Sequence, residues 1–120
     1  MVSHNIVRAL ALKLPEVEDE SSDGKLAFSV GGKSFAWTYL ERVKPKEPRV
    51  ARPDILAVRC AIDHKEMLIK VEPGTFFDDD HYRGYPAVLV RLAAIDKKAL
   101  ASLLQSAWRL QAPKRLLRAQ

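Results

Sequence analysis

Hydrophobic residues near the N-terminus recur at helical spacing. A helix is therefore predicted over residues 4–13, with its apolar side formed by Ile6, Val7, Leu10 and Leu14. Ser3 is a suitable N-cap, and Pro15 follows the end of the helix. The acidic stretch 16–24 lacks such periodicity and is predicted to be a solvated loop.

The helical period returns near the C-terminus. Asp96 is predicted to cap a long helix whose apolar stripe consists of Leu100, Leu103, Leu104, Ala107 and Trp108, closing at Gln111. Pro113 ends or kinks this helix, and Leu116 and Leu117 favour one further helical turn in the tail.

Between these helices the hydrophobic pattern alternates, as it does in β-strands. Segments 25–30 and 33–39 flank Gly31 and Gly32, and this arrangement predicts a β-hairpin. The alternation puts Leu26, Phe28 and Val30 on one face of the first strand. Phe35, Trp37 and Tyr39 share a face of the second strand, where core packing is expected and an exposed base-stacking platform is the alternative.

The middle of the chain mixes prolines with short apolar runs. Pro45, Pro48 and Pro53 predict a long loop over residues 41–53, here called the basic wing, before an apolar strand at 55–61. Asp63 is predicted to cap a short helix with Met67, Leu68 and Val71 on its apolar side. Residues 75–77 suggest a short edge strand, 81–86 a turn, and 87–92 a final strand.

This order of elements, α-β-β-β-α-β-β-α, defines an α+β fold. We expect a single domain over residues 1–120, with two layers in which helices cover a mainly antiparallel sheet. No signal segment or membrane span is recognisable, so a cytoplasmic protein is expected. Cys60 lies in an apolar run, which is typical of a small buried side chain.

Basic residues exceed acidic ones and are clustered. The formal net charge is +5. The basic wing carries Arg42, Lys44, Lys46, Arg49 and Arg52, and the basic tail carries Lys114, Arg115 and Arg118. Acids gather instead in 16–23 and 78–80, so an electrostatically two-faced molecule is predicted. If the basic wing and the basic tail share one surface, that surface would suit a phosphate backbone.

Residues suited to catalysis or metal binding are sparse. None of the three histidines (His4, His64 and His81) stands in a known catalytic frame. The run Asp78, Asp79, Asp80, His81 contains metal-ligating residue types, but neighbouring side chains on an extended segment point in opposite directions. Gly31, Gly32 and Lys33 lack the remaining spacing of a phosphate loop. No metal, cofactor or enzymatic activity is expected, although a pocket joining His81, Tyr82 and carboxylates would favour an enzyme.

Four segments together resemble the MmcQ/YjbR family of small bacterial proteins. They are residues 11–15 (ALKLP), 26–36 (LAFSVGGKSFA), 81–85 (HYRGY) and 103–116 (LLQSAWRLQAPKRL). The resemblance implies an α-β(3)-α-β(2)-α fold of the secretion-chaperone-like type, no defined catalytic residue, and a DNA-binding role assigned by analogy of shape. The family motifs fall on Gly31, Gly32, Lys33, His81, Tyr82 and Trp108. The usual tryptophan after the His-Tyr segment is Tyr85 here, and the usual aromatic after Ser106 is displaced to Trp108.

The leading hypothesis is a DNA-binding protein that makes mainly non-specific phosphate contacts. The residues predicted to make them are Lys33, Arg42, Lys44, Lys46, Arg49, Arg52, Lys114, Arg115 and Arg118. The alternative is a chaperone-like module that holds a protein partner on the sheet face or beside the last helix, without nucleic acid.

Overall fold

The strands of this protein lie side by side in one antiparallel sheet. The computed structural model describes residues 2–118, and within them six strands pair in the order β1-β2-β3-β4-β6-β5. The strands are β1 Glu18–Asp19, β2 Ala27–Val30, β3 Lys33–Glu41, β4 Val50–Arg59, β5 Phe76–Phe77 and β6 Ala87–Arg91. The helices are α1 His4–Leu12, α2 Ile62–Val71, α3 Lys97–Gln111 and α4 Lys114–Arg118. The predicted α+β fold is confirmed, and α4 is the further helical turn predicted for the tail. The short strand β1 lies within the stretch 16–24, for which the sequence pattern predicts a loop throughout.

One face of the sheet is covered by α1 and α3, which form the main hydrophobic core with it. The predicted stripe of α3 is buried there, and Val7 and Leu10 of α1 pack in the same cluster. The caps predicted for α1 and α3 are present: Ser3 Oγ accepts from the Ile6 amide at 3.3 Å, and Asp96 Oδ1 accepts from the Ala99 amide at 2.7 Å. Among residues 2–118, none of the helices combines the length and the apolar character needed to cross a membrane.

The opposite face of the sheet, here called the second face, carries a smaller apolar cluster. Its buried members are Tyr39, Ala57, Tyr82, Ala87 and Leu89, with Trp37, Ile55 and Phe77 packed beside them. The segment after β5, residues 78–86, crosses this face and contributes Tyr82 to the cluster. We call this segment the crossing turn.

A bulge changes where the aromatic residues of β3 point. Phe28 pairs with Ala36 and Ser29 pairs with Ser34, so Phe35 has no partner on β2. The extra residue breaks the alternation, and Phe35 packs in the main core whereas Trp37 and Tyr39 belong to the second face. The prediction that all three rings share one face is therefore wrong.

The basic wing is shorter than its prolines suggested. β3 runs to Glu41 and β4 begins at Val50, which leaves only 42–49 as an irregular loop and places Arg52 within a strand. Pro53 is tolerated inside β4 because the pairing with β3 shifts from Leu56 to Arg52, and residues 53–55 face no residue of β3.

Helix α2 differs from its prediction in its cap and in its buried side. Its N-cap is Ala61, and Asp63 lies in the first turn instead of capping it. Met67 and Val71 are exposed, whereas Lys65 is buried. The burial of Lys65 cannot be predicted from the sequence, because a lysine on a helix is normally a surface residue.

Two further residues have the local roles expected of them. Gly31 has a φ of 57°, and a Cβ added there would lie 3.0 Å from Pro113 Cδ, so the hairpin requires glycine for both its conformation and its contact with the tail. Cys60 is buried, and burial raises its pKa to about 11, so it is a neutral core thiol.

Candidate functional site: the wing cleft on the second face

The crossing turn is held in place by a buried lysine. Lys65 Nζ donates to the carbonyl oxygens of Tyr82 at 2.7 Å and Tyr85 at 2.9 Å, and it pairs with Asp78 at 3.1 Å. The Lys65 side chain is only 3% exposed. Because all three donors of the ammonium group have acceptors, α2 fixes both ends of the crossing turn against the sheet.

Tyr82 packs the centre of the crossing turn onto the second face. Its hydroxyl accepts from Trp37 Nε1 at 3.0 Å, and its ring lies 6.0 Å from Tyr39 and 5.7 Å from Tyr85 between centroids. Burial raises the pKa of Tyr82 above its ordinary value. Tyr82 is therefore a packing residue that positions its neighbour His81.

A cleft opens between the basic wing and the crossing turn. It has a volume of about 500 Å³ and is lined by Tyr39, Leu40, Glu41, Arg42, Arg49, Asp79, Asp80 and His81. We call it the wing cleft. It brings two predicted basic residues, Arg42 and Arg49, next to the family-motif residue His81, although His81 is distant from both in sequence.

The carboxylates of the wing cleft are bound to partners of their own. Glu41 pairs with Arg52 at 2.6 Å, and Asp80 pairs with Arg83 at 2.9 Å. Asp79 accepts from the Tyr39 hydroxyl and, at 2.7 Å, from the Tyr82 amide. These contacts leave the guanidinium groups of the cleft without a carboxylate partner.

Arg49 contacts an imidazole instead of an acid. Its two terminal nitrogens lie 3.2 Å from Nε2 and 3.4 Å from Nδ1 of His81. Arg42 donates to the Pro45 carbonyl oxygen at 2.9 Å. Within residues 2–118 neither arginine forms an ion pair. Their positive charge is therefore not neutralised by a direct carboxylate contact within this part of the chain.

The run 78–81 does not gather around one point. Asp78 faces Lys65, Asp79 faces Tyr39, Asp80 faces Arg83 and His81 faces Arg49. In the described part of the chain no three side chains of the metal-ligating types are grouped so as to hold an ion.

The wing cleft brings His81 together with the carboxylates of Glu41, Asp79 and Asp80, which is the arrangement that an enzymatic pocket would require. Tyr82 does not line the cleft but packs in the apolar cluster of the second face. The side chains of Tyr39 and His81 in this cleft are engaged by neighbouring residues. Burial, and then the hydrogen bond to Asp79, raise the pKa of Tyr39, so its hydroxyl stays protonated. Within residues 2–118 the ring nitrogens of His81 make their hydrogen-bonding contacts with Arg49.

The basic tail does not share a surface with the basic wing. Gln111 Nε2 donates to the Ser34 carbonyl oxygen at 2.9 Å, and Pro113 lies against Gly31, so the tail starts beside the β2–β3 hairpin. The wing is at the other end of β3, on the order of 20–25 Å away at about 3.3 Å per residue. The expected pooling of charge is therefore not observed.

The remaining predicted basic residues are divided between ion pairs and open positions. Arg115 makes a two-pronged ion pair with Glu16 at 2.9 Å, which lowers the pKa of Glu16, and Lys44 pairs with Glu47 at 3.8 Å. No ion pair within residues 2–118 involves Lys33, Lys46, Lys114 or Arg118.

Trp108 is a core residue. It is fully buried on α3, and its Nε1 donates to the Pro15 carbonyl oxygen at 3.0 Å. The displaced aromatic of the family motif therefore fastens the chain after α1 to the last long helix and has no contact with solvent.

Comparison with known proteins agrees with this small α+β architecture. A sequence model of the YjbR family matches residues 12–110. The chain belongs to the YjbR family.

Its similar relatives carry no assigned activity in their names. Uncharacterised proteins of Mycobacterium bovis and of two Mycobacterium tuberculosis strains are 43% identical over 100 residues, covering 75% of this chain and 75% of theirs. A crystal structure of a Deinococcus radiodurans protein with a DUF419 domain is similar in fold, with a TM-score of 0.65 and 20% identity, covering 92% of this chain and 78% of that one.

Proposed function

We propose that this protein binds DNA through non-specific phosphate contacts made by the basic wing at the wing cleft. The observation that carries the proposal is the cluster of Arg42, Arg49 and His81 around one cleft, in which Glu41 and Asp80 are paired with other arginines and Asp79 is hydrogen-bonded to Tyr39. An arginine that lies against an imidazole ring, and not against a carboxylate, keeps donors for a phosphate oxygen. Lys46 extends the same loop and is exposed.

The proposed site is narrower than the set of basic residues predicted from sequence. Arg52, Lys44 and Arg115 have carboxylate partners, and the basic tail lies at the other end of the sheet. We therefore propose Arg42, Lys46 and Arg49 as the main phosphate ligands. We also propose that the protein acts in the cytoplasm and that the cleft binds without catalysing a reaction.

Replacing the three wing residues should weaken DNA binding far more than replacing three other cations. The triple variant Arg42→Gln, Lys46→Gln, Arg49→Gln is expected to lower duplex affinity about ten-fold or more at moderate salt. The slope of log affinity against log salt should fall by about 0.9 for each phosphate contact that is lost. Fluorescence anisotropy with a labelled duplex measures both quantities.

The matched control removes the same charge from the helix-covered side. Lys97, Lys98 and Arg109 are exposed on α3, and their triple glutamine variant should keep most of the affinity and the salt slope. Equal losses in the two triple variants would show that only net charge matters and would contradict a site at the wing cleft.

A protein-interaction module is the second candidate. A partner-binding groove lined by aromatic side chains would need Phe35, Trp37 and Trp108 to be exposed, but Phe35 and Trp108 are fully buried and Trp37 is half-buried. The observation that favours it is the pair of exposed apolar residues Met67 and Val71, which lie one turn apart on the same side of α2. Absence of any DNA binding at low salt would favour this candidate over the first.

A further inference from the structure

A second pocket lies at the other end of the second face, beside the β2–β3 hairpin. It has a volume of about 300 Å³ and is lined by Lys33, Ser34, Trp37, Arg59, Tyr85 and Gln111. We call it the hairpin pocket. Its size is at the lower end of the range of small-ligand sites.

Arg59 is the unusual member of this pocket. Its guanidinium carbon lies 4.9 Å from the centre of the Tyr85 ring, and its Nη1 is buried without a hydrogen-bond acceptor among residues 2–118. A buried donor without an acceptor is rare and costly in folded proteins. Arg59 also lines the pocket, so its guanidinium charge would attract an anionic oxygen bound there.

Lys33 adds a second cation beside Arg59. Lys33 and Arg59 line the same pocket. Within residues 2–118 neither of them forms an ion pair with a carboxylate. Lys33 also gives the Gly-Gly-Lys turn a chemical role, because the hairpin carries this ammonium group to the rim of the pocket.

The rest of the pocket wall is aromatic and partly open to solvent. Tyr85 is 41% exposed, and Trp37 is half-buried. Trp37 Nε1 donates a hydrogen bond to the Tyr82 hydroxyl at 3.0 Å, and this bond holds the indole in place. Trp37 therefore contributes an aromatic ring, and no free hydrogen-bond donor, to the wall of the pocket. Cations beside accessible aromatic rings are the combination that binds single-stranded nucleic acid, whose bases are free to stack.

We propose that the hairpin pocket holds one nucleotide of a single strand, with its phosphate at Arg59 and Lys33 and its base against Trp37 and Tyr85. This inference rests on the proposed function, since the same strand would continue across the second face toward the wing cleft. It makes single-stranded DNA the preferred ligand, because bases paired within a duplex cannot stack on the protein.

The test compares a labelled thymidine 12-mer with an abasic 12-mer of the same backbone, which carries equal phosphate charge and no bases. The normal oligomer should bind about five-fold tighter or more, and it should quench the fluorescence of Trp37. Trp108 is fully buried and serves as an internal reference. In the Trp37→Phe variant the quenching should disappear.

Variants at Arg59 separate this inference from the proposed function. Arg59→Gln is expected to weaken binding of the 12-mer about five-fold or more, Arg59→Lys to weaken it less, and the exposed control Arg109→Gln to leave it unchanged. Equal affinity for the normal and abasic oligomers, or an Arg59→Gln variant that binds like Arg109→Gln, would overturn the inference. If the wing triple variant still lost affinity in that case, the proposed function would stand without it.

Discussion

Replacing Lys65 with methionine is expected to lower the free energy of unfolding by about 3 kcal/mol or more. The substitution keeps most of the side-chain volume but removes the donors that hold two carbonyl oxygens of the crossing turn and Asp78. The buried carbonyl oxygen of Tyr82 would lose this partner, and Asp78 its counter-ion. Urea denaturation followed by circular dichroism measures the change.

The control for this substitution is Lys70→Met on the same helix. Lys70 is exposed, so its replacement should change stability by no more than about 0.5 kcal/mol. If the two variants had the same stability, Lys65 would not be the anchor of the crossing turn, and the placement of His81 and Tyr85 would need another cause.

Replacing Trp108 with alanine is expected to lower the free energy of unfolding by about 3–5 kcal/mol. The side chain is fully buried between α3 and the chain after α1, and its removal leaves a cavity and frees the Pro15 carbonyl oxygen. Thermal or urea unfolding should show the loss. The neighbouring Leu110 is 54% exposed, so Leu110→Ala is a control with a much smaller expected effect.

A Trp108→Ala variant as stable as Leu110→Ala would contradict the assignment of Trp108 to the core. Such a result would return the displaced aromatic of the family motif to the list of candidate binding residues.

The elements that could be predicted from the sequence are those with a complete local signal. Helices α1 and α3 combine an apolar stripe with a capping side chain, and the hairpin around Gly31 combines alternation with glycines at positive φ. In these segments local preference and tertiary packing agree, so the residue pattern alone is sufficient to predict the element.

The errors occur where tertiary contacts override the local pattern. The bulge at Phe35 depends on how β2 and β3 align. The early start of β4 depends on a register shift that leaves Pro53 without a pairing partner on β3. The buried side of α2 is set by Lys65, whose acceptors belong to a segment more than ten residues further along the chain. No periodicity in the sequence encodes such contacts.

The candidate site was partly foreseen. Charge clustering identified Arg42 and Arg49, and the family motif identified His81, but their meeting depends on the path of the crossing turn. Arg59 cannot be predicted as a site residue from the sequence, because a single arginine in an apolar strand has no distinguishing pattern. Its unsatisfied nitrogen and its contact with Tyr85 become visible only in three dimensions.

The most direct test of a nucleic-acid site on the second face uses the two tryptophan indole N–H groups as reporters. Trp37 lies on the second face, and Trp108 lies in the core beneath the helices. In two-dimensional ¹H–¹⁵N NMR, titration with the thymidine 12-mer should shift the Trp37 indole signal together with amides of the basic wing and the crossing turn, while the Trp108 signal stays in place. Shifts confined to α1 and α3, or a Trp37 signal unaffected by saturating DNA, would contradict the account.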